Sequence, residues 1–280
     1  MLRKSIATGN FTDAATWGRT DATALNNTEA FVTNLTTSYQ ASSSFTPGVI
    51  DVSEIGVKLA NRTGTTGTMS VHLAIAGVEV AGSLVTINTA DLPAAASADI
   101  NGGWIFFKLA SPITLLAATA YTVEAKTSSG SQVALFATAT TNWARCLVLT
   151  GTGSPAAGDD LIVAGNHTGA GTSNSFTITM NETAATDYGA APTAAVSLVQ
   201  PGVAVCNKGT FIYGSTAATQ YNLKLSNSLI VYSGGIFNMG TTGTPIPRDS
   251  TAKLNFDCGA NVDYGLVIRN LGTFYAQEIG

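Results

Sequence analysis

From Glu54 to Ile75 apolar and polar residues alternate with a period of two. Ile55, Val57 and Leu59 interleave with Glu54, Gly56 and Lys58; the turn-rich run from Asn61 to Thr68 follows; then Met69, Val71, Leu73 and Ile75 interleave with Ser70, His72 and Ala74. Successive side chains on a strand point to opposite faces, so this pattern predicts two strands, each with one buried face. Further strands are predicted at Ser83 to Asn88, Trp104 to Leu109, Tyr121 to Lys126 and Gln132 to Ala137, with turns at Asn101-Gly102-Gly103 and Ser128-Ser129-Gly130 between them. No helical periodicity intervenes, which points to an antiparallel sandwich over residues 37–140.

The chain after Val203 follows another rule and repeats itself. Asn207-Lys208-Gly209-Thr210-Phe211 is echoed by Ser233-Gly234-Gly235-Ile236-Phe237 and by Asn270-Leu271-Gly272-Thr273-Phe274. Each copy follows an apolar strand: Val203 to Cys206, Leu229 to Tyr232, Leu266 to Ile268. Such repeats read as coils of a β-solenoid, each stacking on its neighbour to bury its inner face. The expected fold is therefore all-β, an antiparallel jelly-roll sandwich plus a β-solenoid. Residues 1–36 form an N-terminal segment that pairs with the solenoid, 37–140 the sandwich and 141–280 the β-helix-like domain. The third repeat runs to Gly280 without a polar cap, which leads us to expect a continuing chain or a partner subunit over that coil.

Composition narrows the class. Of 280 residues only 11% are charged, 17 acidic against 13 basic, while 45% are hydrophobic and 29 are Gly. An average domain carries about a quarter charged residues, so helical bundles and ordinary cytosolic α/β enzymes are poor fits. Disorder is excluded by the apolar content. No basic run exists to hold a phosphate backbone, so no nucleic-acid partner is expected. Ser5 to Gly18 is too polar for the core of a secretory signal, and no uninterrupted apolar run is long enough for a membrane-spanning helix. Cys146, Cys206 and Cys258 are far apart and read as buried small hydrophobes.

Two resemblances follow from particular residues. Val52, Ile55, Val57, Leu59, Gly67, Thr68, Val71 and Leu73, with Trp104, Phe107, Leu109, Pro112, Leu115, Ala118, Ala120, Tyr121 and Val123, resemble the jelly-roll modules of bacterial surface proteins and phage structural proteins. Gly9 to Trp17, together with Ala157 to Thr168, resembles the opening of the domain named for its eight recurring glycines, which begins a right-handed parallel β-helix. Here a long insertion separates the two pieces, Phe11 stands where that family has Trp, and Asn166 interrupts the glycine-histidine pair. The resemblance implies a sandwich inserted into the start of a β-helix.

Candidate chemistry is sparse. Asp159-Asp160 is the most conspicuous acidic pair, but adjacent strand residues face apart, so turn duty is expected. A structural Ca²⁺ is the metal such carboxylates would suit, yet no D-x-D-x-D-G loop accompanies them, so no metal ligand and no cofactor is assigned. His72 is expected on the polar face of its strand and His167 in the Gly165–Thr168 turn, neither beside a nucleophile. Gly165 to Gly171 lacks the Lys-Ser/Thr of a phosphate cradle. Among Trp17, Trp104 and Trp143, Trp143 at the sandwich exit is the residue expected to be exposed for a glycan contact.

These features lead us to expect a non-catalytic bacteriophage virion structural protein, the N-terminal part of a tail fibre, tailspike or similar appendage. It would work by assembly as a homo-oligomer, a trimer, with other virion proteins, and a host-surface glycan as a further partner. Its location would be the virion or extracellular space. The alternative is a bacterial cell-surface adhesin or carbohydrate-binding module.

Overall fold

The computed structural model describes residues 1–21, 31–94, 102–130, 132–137, 143–182, 186–188, 201–213, 222–225, 228–239, 253–256, 266–268 and 273–276. Among them the regular structure is β-strand, with two short 3₁₀ turns at Ala14–Thr16 and Thr89–Asp91. The chain is all-β, as its alternation predicts. No helix among the described residues is long and apolar enough to cross a membrane.

Two compact units are interleaved along the chain. One comprises Met1–Asn27, Gly151–Ala164 and Ser175–Gly280; the other comprises Thr28–Thr150 and Gly165–Asn174. The sequence reading grouped 165–174 with the C-terminal domain. Hydrogen bonding places it in the second unit: His167 pairs in parallel with Phe107, Asn166 donates to the Glu54 carboxylate at 2.7 Å, and the Gly171 N–H reaches Asp91 at 2.8 Å.

Apart from Trp17–Thr20, which pairs antiparallel with Leu2–Ser5, the described strands of the first unit stack in parallel in three sheets. One runs through Leu2–Ser5, Asp160–Val163, Pro201–Val205, Ser228–Val231 and Leu266–Ile268. A second runs through Gly9–Asn10, Phe176–Thr179, Gly209–Tyr213, Ile236–Met239 and Thr273–Ala276. The third joins Asp187–Tyr188, Asn222–Leu225 and Lys253–Phe256. Register puts like on like: Leu161, Val203, Leu229 and Leu266 align, as do Ile178, Phe211, Phe237 and Phe274. Rings stack within the core, Phe11 on Phe211 at 6.0 Å and Phe211 beside Phe237 at 5.7 Å. Trp17 meets Phe11 edge-on at 5.6 Å, and its indole N–H donates to the Phe11 carbonyl at 2.7 Å. Burying a Trp with its one donor satisfied avoids the cost of an orphaned polar group.

The repeated glycines have a steric cause. A Cβ on Gly209 would lie 2.2 Å from the Val163 carbonyl oxygen, and one on Gly235 would lie 2.3 Å from that of Val205. Each marks the place where one turn of chain passes against the strand stacked beside it. The residue before each glycine is left-handed, Lys208 at φ 61° and Gly234 at φ 77°. Lys208 holds with a side chain a conformation that glycine adopts without strain. Lys208→Gly is accordingly expected to leave stability unchanged or raise it by up to about 1 kcal/mol, strain relief being offset in part by unfolded-chain entropy. Urea denaturation of the two proteins side by side checks this.

In the second unit, Ile50–Arg62 pairs antiparallel with Gly103–Leu115, Val133–Ala137 and Arg145–Thr152, and Phe31–Asn34 pairs with Val133–Ala137. A separate sheet orders Gln40–Ala41, Thr122–Thr127, Thr68–Ile75 and Val78–Glu79, with Val85–Asn88 also on Thr68–Ile75. Ile55, Val57 and Leu59 from one sheet and Met69, Val71 and Leu73 from the other share one core, as predicted. Two expectations are corrected. Ile75, at the strand end, is 41% exposed, and the polar faces are buried too: Glu54, Lys58 and His72 are at most 3% exposed. Within this unit Lys58 lies over the Phe136 ring and Tyr39 folds against His72.

Candidate functional site

The densest polar chemistry of the second unit lies on the outer face of its smaller sheet. His72 and Glu124 are directly opposed across two antiparallel strands. Their side chains meet, His72 Nε2 standing 3.2 Å from Glu124 Oε2. Two positions along each strand, Ser70 opposes Lys126, and the Ser70 hydroxyl bonds that of Thr86 at 2.9 Å. The Tyr39 ring closes the group, edge-on to His72 at 4.3 Å and beneath the Lys126 ammonium at 4.2 Å. Burial pushes the Tyr39 hydroxyl above its ordinary pKa, and the negative charges of Glu79 and Glu124 act in the same direction against a lowering hydrogen bond with Ser70. Tyr39 is thus held protonated as a cover.

This arrangement is better suited to tying the two inner strands of the sheet together than to reaction. Ser70 Oγ is engaged by Thr86, and the Tyr39 ring meets Lys126 and His72, so no activated nucleophile results. His72 Nδ1 has no hydrogen-bond partner among the described residues. The alternation of Ser70 and His72 marks this face in the sequence; the covering Tyr39, far away along the chain, carries no such signal.

The residues singled out from sequence are dispersed. Trp143 is only 3% exposed: it bridges to Ala137 and packs into the main core of the second unit. It is a core residue, not a glycan platform. Trp17 and Trp104 are buried as well. His167 is 2% exposed, beside Phe107. Cys146 and Cys206 are buried thiols, and Cys258 lies outside the described residues. No cluster of three His, Cys, Asp or Glu residues suited to a metal occurs among the described residues.

Asp159 performs the turn duty expected of it. One carboxylate oxygen accepts from Arg3 Nε at 2.5 Å and from the Ala156 N–H at 2.9 Å, while the other lies 3.0 Å from the Met1 ammonium. Burial alone would raise its pKa, but these donors outweigh burial and hold the carboxyl below its ordinary value of 3.8. A depressed pKa stabilises the fold above the unfolded value, and that contribution is lost as pH falls through the folded one. Asp159→Asn is expected to cost about 1.5–2 kcal/mol at pH 7 and to flatten the loss of stability below about pH 4. Denaturant midpoints measured from pH 7 to pH 2 check both parts.

No protein-family model, curated protein or solved structure matches the chain.

Proposed function

We propose that this chain is a structural protein of a bacteriophage virion, part of a tail fibre, tailspike or similar appendage, in which the first unit is a parallel β-solenoid and the second an inserted jelly-roll. The observation that carries the reading is the set of three in-register parallel stacks, whose repeated Leu, Val and Phe positions align from strand to strand. Stacks of this kind distribute stability along an axis, and each strand offers its edge to the next, which suits a load-bearing fibre better than a diffusing enzyme.

A second feature supports assembly. Val49, Ile75, Val78 and Leu116 are 70%, 41%, 70% and 58% exposed. The pairings Leu115 with Ile50, Ile75 with Val78, and Thr122 with Ala74 bring all four to one end of the second unit. A cluster of exposed aliphatic side chains in a surface short of charge favours burial against another protein. Light scattering of the purified protein and peptide mass spectrometry of purified particles test the proposal. A homotrimer mass, together with the chain's peptides at stoichiometric level in the particles, is the expected result. A monomer absent from particles overturns it.

A further inference from the structure

The end of the second unit that carries Val49, Ile75, Val78 and Leu116 is formed by three segments, 46–49, 75–79 and 116–120. The first and third are neighbours, because Ile50 pairs with Leu115. The Leu116 N–H donates to the Tyr121 hydroxyl at 3.0 Å, and Tyr121 precedes Thr122, which opposes Ala74 beside Ile75. Residues from both sheets are thereby brought to one surface, and Ala76 and Ala118 on the same segments are exposed as well.

The backbone keeps this surface apolar against local preference. Ala76 and Gly77 stand at φ 50° and 79° in the two-residue turn between the paired Ile75 and Val78, a turn that favours Asn-Gly. Ala118 stands at φ 61° in the third segment. An alanine in this region is strained, whereas Asn or Asp bonds locally to the backbone there and Gly has no Cβ to clash. Strain retained beside exposed aliphatic side chains marks a surface that meets its partner dry, since a polar turn residue would have to be desolvated on contact.

Charge decides which partner fits. Residues 46–51, 74–80 and 111–122 hold no Lys or Arg; their charges are Asp51 and Glu79, both exposed. A second copy docked on the same surface would set these carboxylates against their own counterparts, and an anionic lipid surface would repel them. A protein surface of apolar side chains bordered by Lys or Arg complements both the aliphatic area and the carboxylates.

We infer that this end of the second unit docks on an apolar, basic-edged surface of a different protein, with Glu79 facing the cation. The inference rests on the assembly reading above, but the two fail separately: absence of the chain from particles removes the virion role alone, and the binding results below leave the parallel stacks untouched.

Binding and stability of the full chain test it. Fluorescence anisotropy with a labelled peptide of alternating Leu and Lys is expected to give saturable binding that peptides of alternating Leu and Glu, or Ser and Lys, do not give. Val78→Ser combined with Leu116→Ser is expected to weaken it at least tenfold, and Glu79→Gln about threefold. Ala76→Asn is expected to raise the thermal midpoint while weakening binding, since it relieves the turn and adds a polar group to be desolvated. Equal binding of the three peptides, binding of none, or no loss in the double variant overturns the inference. Unchanged binding in Glu79→Gln overturns the basic edge, and a lower midpoint in Ala76→Asn overturns the strain premise. Self-association that the double variant abolishes assigns the surface to a second copy, and co-flotation with phosphatidylcholine vesicles that it abolishes assigns it to a bilayer; either overturns the protein partner.

Discussion

Trp143→Ala is expected to destabilise the second unit by about 3–5 kcal/mol, the cost of deleting a large aromatic from a filled core. Trp143 packs with Leu59, Leu135 and Leu147 in the cluster joining both sheets, and little of its surface reaches solvent. The indole leaves a void that backbone paired on both sides, at Ala137 and along Arg145–Thr152, has little freedom to close. Hydrogen exchange followed by mass spectrometry separates this outcome from a binding role. Faster exchange across Ile50–Arg62 and Val133–Ala137 marks the core role, whereas unchanged exchange with a lost glycan signal would restore the exposed-platform reading.

Gly235→Ala has the second large effect, and its cause is the reverse, too much matter in place of too little. The added Cβ falls 2.3 Å from the Val205 carbonyl oxygen and 3.1 Å from the Cys206 N, both of them backbone atoms. Neither can rotate away. The Tyr232 N–H donates to that same Val205 oxygen at 2.8 Å, so relief of the clash strains a hydrogen bond between stacked strands. A loss of about 2–3 kcal/mol is expected. Gly48→Ala is the control, since its Cβ would meet nothing within 4 Å. Denaturant unfolding with Gly235→Ala no less stable than Gly48→Ala would show that the stacked strands can part at that turn without loss.

Both effects bear on function. In the proposed fibre role each stacked turn must present the same backbone to the next, and the missing side chains of Gly209 and Gly235 permit that close approach. In the second unit, the core around Trp143 holds the two sheets together. The acid response of Asp159 belongs to the first unit, where Arg3 ties Leu2–Ser5 to the turn before Asp160–Val163.

How much was legible in the chain differs from element to element. The alternation of Ile55, Val57 and Leu59 and of Met69, Val71 and Leu73 located both strands and their core faces, because a period of two is a local property of extended backbone. The repeated glycine before Phe211, Phe237 and Phe274 located three equivalent strands, and the same steric demand is met at Gly209 and Gly235. By contrast, His72 read as a polar-face residue, and only the return of Tyr39 and Glu124 over it made a buried pair. Trp143 read as exposed for the same reason: a residue at a strand exit has no period to declare which way it faces.

The sequence by itself determined the all-β class, the period-two core faces and the repeating turn, since each rests on neighbours within a few residues. Tertiary structure alone decided that 165–174 joins the second unit, that Trp143 is core and that His72 meets Glu124 beneath Tyr39. Each of these depends on which distant residues are brought together, and a burial or an ion pair is a property of two segments, of which the local pattern describes only one.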